Sequence, residues 1–252
     1  MAGLIANGAI SGITGIVVAP LTGTGGADTL AGGDGRDRAV YTASSGGVSI
    51  DLGSATASGG HAAGDTLTSI EDITGSSFND TLTGNGSDNE LAGGLGNDTL
   101  AGGAGADILL GDNGNDRLSG GAGADTLQGG EGRDIADYSS SAVGVVVNLG
   151  LAGAQISAGS DADGDILVEI EDLLGGAGND TLTGNAGDNA IDGGSGNDIL
   201  RALAARTRWS AATASIPLTI QVPTRGLPPI LTVRPLVLAA TLRATCWAIS
   251  KT

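Results

Sequence analysis

One cysteine, one histidine and one methionine in 252 residues leave the chain little reactive chemistry. A lone Cys246 makes no internal disulfide and no CxxC metal site. His61 is the only histidine, so the HExxH zinc-protease arrangement is excluded, and no GxSxG nucleophile elbow occurs. Aromatic residues are nearly absent: before position 201 there are only Tyr41, Phe78 and Tyr138, so burial must rest on aliphatic side chains. No apolar run approaches the length of a membrane span. The opening MAGLIANGAISG lacks a basic start and is broken by glycine, which argues against a cleaved signal peptide.

Lysine is absent up to Lys251, and all 28 acidic residues lie at or before Asp198, opposed there by only Arg36, Arg38, Arg117 and Arg133. Such a surface repels nucleic acid and anionic lipid and attracts cations. Of 47 glycines all but Gly226 precede position 201, whereas Trp209, Trp247, Cys246 and five of the six prolines follow it. The chain therefore has two compositions, with the boundary at Arg201.

In the acidic part a nine-residue repeat runs seven times without a gap from Gly75 to Asp137, with Gly first and Asp or Asn sixth. GGLGNDTLA from Gly93, GGAGADILL from Gly102, GDNGNDRLS from Gly111 and GGAGADTLQ from Gly120 are its cleanest copies. They follow the pattern G-G-x-G-x-D-x-U-x, with U a large aliphatic residue. This pattern resembles the calcium-binding nonapeptide of RTX (repeats-in-toxin) proteins, and the resemblance covers most of residues 23–200. It implies an all-β fold, a parallel β-roll solenoid in which two nonapeptides make one coil.

Each nonapeptide reads as a six-residue turn followed by a three-residue strand. Glycines at positions one, two and four permit backbone angles barred to other residues and let coils approach closely. The aliphatics at position eight, Leu82, Leu91, Leu100, Leu109, Leu118 and Leu127, are expected to point inward as one ladder. Repeats two apart should stack, placing Asp80 over Asp98, Asp98 over Asp116, Asp107 over Asp125 and Asp116 over Asp134. Stacked carboxylates repel, and a hard dication taking six to eight oxygens relieves this with side chains and turn carbonyls. Solubility alone needs no such phase.

The expected calcium ligands are thus Asp28, Asp37, Asp80, Asp98, Asp107, Asp116, Asp125, Asp134, Asp180 and Asp198. Asn89 and Asn189, at the same position, are expected to bind more weakly. The turn glycines Gly94, Gly96, Gly103, Gly105, Gly114, Gly121 and Gly123 are expected to contribute to the same sites. Six leucines cannot by themselves offset the conformational entropy of so glycine-rich a stretch. Folding should therefore require calcium.

The segments read as a lead at 1–22, a short RTX block at 23–40, a β insert at 41–74, the central roll at 75–137, a second insert at 138–174, a third block at 175–201 and a tail at 202–252. The inserts are copies: Tyr41–Leu52 aligns with Tyr138–Leu149, and Gly64–Leu100 with Gly164–Leu200. Each holds an alternating stretch (Val48–Leu52, Val143–Leu149) and a G-D-x-L-x-x-I-E-D segment. Its apolar Leu67, Ile70 and Ile73, or Leu167, Ile170 and Leu173, are expected to form irregular β rungs. Neighbouring acids such as Asp65, Glu71 and Asp72 are read as products of an acidic composition, not as a catalytic pair. His61, in a Gly and Ala loop, is expected to be exposed.

After Arg201 the period vanishes. Reading the tail one base out of phase, however, permits Gly-Ser-Gly-Gly-Ala-Asp-Thr-Leu-Val and a following nonapeptide that parallel Gly120–Ser139. Residues 202–252 are accordingly expected to be a frameshift product; the competing reading is a genuine appended segment such as a C-terminal secretion signal.

With neither HExxH nor GxSxG present, the protein is expected to be non-enzymatic; the resemblance to RTX proteins implies an extracellular one that folds on calcium after export, with a type I secretion machinery as the expected partner. A C-terminally truncated piece of a secreted RTX enzyme or adhesin is the alternative. No macromolecular partner is specified by the residues.

Overall fold

The structure, a computed structural model, describes residues 20–201 together with 208–210, 219–220 and 231–232. The lead segment and most of the tail, with the frameshift expectation, lie outside the described residues. Two compact units divide the chain: one runs to Asp134 and includes Val168–Ile170, the other comprises Ile135–Leu167 and the residues from Glu171 onward.

In the first unit two parallel sheets alternate along the chain, because each nonapeptide supplies one strand and the next supplies a strand of the other sheet. One pairs Glu90–Leu95 with Ile108–Gly114 and Ile108–Gly114 with Thr126–Gly132, in the register Leu91↔Leu109↔Leu127. The other pairs Thr81–Thr83, Thr99–Ala104 and Arg117–Ala122, in the register Leu82↔Leu100↔Leu118. Every step is 18 residues, two nonapeptides, as the repeat requires. The expected single leucine ladder is therefore two, one per sheet. All six leucines are at most 1% exposed, and an aliphatic column of this kind is what each short strand offers for burial.

Strands in the cleanest repeats are six or seven residues long, not three. Pairing continues into the turns, through Gly103↔Gly121 and Asp112↔Gly130, since neighbouring turns share one backbone path.

The first insert continues the roll as irregular rungs. Thr66–Thr68 pairs with Thr29–Ala31, and Asp72–Thr74 with both Arg38–Val40 and Glu90–Leu95. Leu67, Ile70 and Ile73 are buried, as are Leu167, Ile170 and Leu173. Between the two rungs of each copy the chain turns at a non-glycine residue with positive φ, Ser69 (52°) and Glu169 (53°). In the first insert Ser49–Asp51 also meets Thr56–Ser58 in an antiparallel pair that the alternation does not signal.

In the second unit Ile135–Asp137 pairs with Asp172–Leu174, which pairs with Ala190–Asp192, and Val146–Asn148 pairs with Thr181–Thr183, which pairs with Ile199–Arg201. Arg208–Ser210, in the tail, pairs with Ala190–Asp192 at the same 18-residue step. Beside Val146–Asn148, side chains replace the antiparallel strand of the first copy: Val146 N–H donates to Ser157 Oγ (2.7 Å) and Asn148 N–H to Gln155 Oε1 (2.8 Å).

Candidate metal centre

The sixth-position side chains stack as the period requires. Asp80 N–H donates to Oδ1 of Asp98 (2.7 Å), Asp98 N–H to Asp116 (2.7 Å) and Asp116 N–H to Asp134 (2.8 Å). On the other side Asn89 N–H donates to Oδ1 of Asp107 (2.7 Å) and Asp107 N–H to Asp125 (2.8 Å). In the second unit Asp180 N–H donates to Asp198 (3.0 Å). One carboxylate oxygen of each residue is thereby spent on fastening a coil to the next.

The second oxygen is the notable one. Oδ2 of Asp98, Asp107, Asp116 and Asp198 is buried and accepts no hydrogen bond, although these residues are only 1–2% exposed. An ionised oxygen buried without a donor is costly, several kcal/mol by general experience of buried charge (order of magnitude). Burial accordingly pushes the Asp98 carboxyl up to about 7, its ladder neighbours Asp80 and Asp116 adding to the rise while the Asp80 N–H opposes it. Asp107 and Asp116 are pushed up to about 6 by the same burial. Asp37, Asp180 and Asp198 are raised as well, burial again being the main cause.

Each such oxygen points toward the first glycine of its own nonapeptide. A methyl group placed on Gly102 would lie 2.2 Å from Asp107 Oδ2 and 2.7 Å from the carbonyl oxygen of Gly120. On Gly111 it would lie 2.5 Å from Asp116 Oδ2 and 2.6 Å from the Gly129 carbonyl. Position one is thus glycine for space rather than for backbone angle, since neither Gly102 nor Gly111 has a positive φ. Positions two and four are the ones that need the left-handed region, as at Gly103 (111°) and Gly105 (119°).

Carboxylate and carbonyl oxygens converge, while among the described residues no group of three or more Asp, Glu, His or Cys side chains gathers. The donor set available at each rung is a carboxylate oxygen with backbone carbonyl oxygen nearby, which suits a hard cation that accepts many oxygens at flexible geometry. Buried, unpartnered Oδ2 atoms fit such an ion. The turn glycines expected at the sites lie in these turns: the carbonyl oxygens of Gly96, Gly103 and Gly105 approach Gly114, Gly121 and Gly123 of the next coil, respectively.

Other expected ligands are placed differently. Asp37 is buried with neither oxygen partnered. Asp28 accepts the Thr24 N–H and hydroxyl at Oδ2 (2.8 and 2.9 Å) and keeps a buried Oδ1 without a donor. Asp80 and Asp180 have both oxygens bonded to N–H groups. Asn89 and Asn189 donate their amide N–H to the carbonyls of Glu71 (2.6 Å) and Glu171 (2.7 Å).

Several insert acids hold the backbone together. Asp65 accepts the Tyr41 hydroxyl (2.9 Å) and the Asp28 N–H (2.8 Å), Glu71 accepts the Asp37 N–H (2.9 Å), and Asp72 pairs with Arg36 and Arg38. His61 is half-buried, against the expectation of exposure, because its N–H donates to Ser44 Oγ (2.9 Å) and its ring Nδ1 is enclosed.

Oxygen ladders in parallel strands stepped by two nonapeptides make a β-roll whose donor chemistry suits a cation. The family model for the RTX calcium-binding nonapeptide repeat matches this chain in four copies, at residues 21–39, 68–100, 101–136 and 170–200. Those stretches of the chain are RTX nonapeptide repeats, and RTX nonapeptide repeats bind Ca2+. No curated protein is similar enough in sequence to stand as a relative. Among the described residues no helix is long and apolar enough to cross a membrane.

Proposed function

We propose that this protein is an extracellular calcium-dependent scaffold, in which Ca2+ taken up by the Asp ladders converts a disordered, acidic chain into a folded roll after export. The observation that carries this reading is the buried, donorless Oδ2 of Asp98, Asp107 and Asp116. A roll with these oxygens uncompensated is disfavoured, and metal bound only by the folded state stabilises that state by mass action. Calcium is scarce inside cells and abundant outside, so a fold conditional on it stays open for export and closes afterwards. Export through a type I machinery agrees with the RTX resemblance. The role is structural or surface-related: the insert carboxylates nearest to a catalytic arrangement, Asp65 and Asp72, are held by Tyr41 and by Arg36 and Arg38.

Far-ultraviolet circular dichroism of the full chain tests the reading. Addition of millimolar CaCl2 to the chelated protein should produce β structure, and equimolar MgCl2 should not, because Mg2+ demands a tighter octahedral shell. An unchanged spectrum in calcium, or an equal response to magnesium, defeats it.

A further inference from the structure

Two kinds of rung occur in the central and third blocks. In the nonapeptides that begin at Gly93, Gly102, Gly111 and Gly193, the residue at position two has a positive φ: Gly94 110°, Gly103 111°, Asp112 69° and Gly194 71°. In these rungs the sixth-position carboxylate of Asp98, Asp107, Asp116 or Asp198 keeps a buried Oδ2 with no donor.

In the nonapeptides that begin at Gly75, Gly84, Gly175 and Gly184, position two lies outside the positive-φ region. Its N–H points at the sixth side chain: Ser76 to Asp80 (2.5 Å), Asn85 to Asn89 (2.8 Å), Gly176 to Asp180 (2.9 Å) and Asn185 to Asn189 (3.0 Å). Remaining polar atoms are also engaged. Oδ1 of Asp80 and of Asp180 accepts the N–H of Val48 (2.7 Å) or Val145 (2.8 Å), while the amides of Asn89 and Asn189 donate to Glu71 and Glu171 carbonyls.

A second observation falls on the same line. Asparagine stands at position six only in rungs of the second kind, at Asn89 and Asn189. There the amide N–H faces a carbonyl oxygen, supplying the positive partner that a cation would supply in the first kind. Aspartate, with no hydrogen to give, occupies every rung whose second oxygen lacks a donor.

We infer that in these two blocks the backbone at position two and the N–H donors it aims sort the nonapeptides into calcium-requiring and calcium-independent rungs, and that the rungs of Asp80, Asn89, Asp180 and Asn189 take no ion. This rests on the reading of the ladders as calcium sites. It makes the first two nonapeptides of the central block and of the third block complete without metal, so each block starts from a rung pair that calcium does not have to build.

Asn89 and Asp107 are neighbours on one ladder, joined by the Asn89 N–H (2.7 Å), and their exchange is the test. Bound metal per chain is counted by equilibrium dialysis of the full-length protein against CaCl2 followed by atomic emission. Asn89→Asp removes the N–H that faces Glu71 and leaves a buried oxygen without a donor, so it should gain one Ca2+ per chain. Asp107→Asn should lose at least one. An unchanged or lower count in Asn89→Asp, or an unchanged count in Asp107→Asn, overturns the inference. Misfolding lowers a count and does not raise it, so the gain keeps the question decidable. If the unsubstituted chain itself retains no calcium, it is the calcium reading that fails.

Discussion

Asp98 and Asp116 are joined head to tail: the N–H of Asp98 donates to Oδ1 of Asp116 at 2.7 Å, and Asp116 repeats the bond toward Asp134 at 2.8 Å. Two acids of like charge are thereby held in register by backbone donors, at the cost of enclosing the oxygen that neither donor reaches. Asp116 sits in the middle of this run, whereas Asp28 has no sixth-position partner 18 residues on either side. Asp116→Ala removes the acceptor of the Asp98 N–H and one carboxylate from a stacked set. It should cost about 1–3 kcal/mol of calcium-bound stability and lower the calcium count more than Asp28→Ala does. Calorimetric titration of both variants checks this, and equal counts would contradict the stacked register.

Acid should favour the calcium-free roll. Asp98, Asp107 and Asp116 are raised from 3.8 to about 7, 6 and 6, chiefly by burial. With folded values above the unfolded ones, the folded state holds more protons between those limits. The contribution to stability is therefore full below pH 3.8 and is lost as pH rises through about 6 to 7. In calcium-free buffer the β signal and its thermal midpoint should be higher near pH 5 than near pH 7.5. Saturating calcium should reverse that order, because protons compete with the metal for the same oxygens. Calcium-free stability that increases with pH would refute the assignment.

Much of this was legible in the sequence, because the phase of Gly and Asp is repeated so often that the 18-residue step follows from it; Leu82↔Leu100↔Leu118 and the Asp80, Asp98, Asp116 stack come directly from that count. What the letters could not carry is conformation. Gly94 and Gly176 occupy the same position two, yet Gly94 has φ 110° and leaves Asp98 Oδ2 open, while Gly176 lies outside that region and bonds Asp180. Glycine permits both, so the letter does not decide between them. Ser69 and Glu169 likewise turn with positive φ where no glycine marks the place. The antiparallel Thr56–Ser58 strand has no counterpart pairing in the second insert, where Gln155 and Ser157 side chains meet the same backbone groups.

Tyr41 and Tyr138 are two of the few aromatic residues, and both donate a buried hydroxyl to an insert carboxylate, Asp65 and Asp165, at 2.9 Å. Burial and the Asp65 carboxylate push the Tyr41 hydroxyl far above its ordinary value, so it remains a donor throughout the usable pH range. Tyr41→Phe keeps the ring and removes the proton that Asp65 Oδ2 accepts, leaving a buried acceptor short of a partner. The expected loss is about 1–3 kcal/mol by urea unfolding in calcium, with the calcium count unchanged because Asp65 stands outside the nonapeptide ladder. A drop in bound calcium would place Asp65 among the ligands instead.

Glycine at position one should resist replacement for a reason distinct from backbone freedom. Gly102 has no positive φ, yet a Cβ there would stand 2.2 Å from Asp107 Oδ2 and 2.7 Å from the Gly120 carbonyl. The second contact is with backbone fixed in the next coil and cannot yield easily. Gly102→Ala should therefore destabilise the calcium-bound roll by about 1–3 kcal/mol through overpacking, and weaken calcium binding by displacing the carboxylate toward which an ion would be drawn. Gly86 provides the control in the same block: it has no positive φ, and an added Cβ would meet nothing within 4 Å. Gly86→Ala should be neutral or stabilising by about 0.4–1 kcal/mol, since the unfolded chain loses freedom and the folded one loses nothing. Urea unfolding of the two variants in saturating calcium separates these cases; equal losses would mean that the glycines serve flexibility throughout, and that the space beside Asp107 is not reserved for its carboxylate.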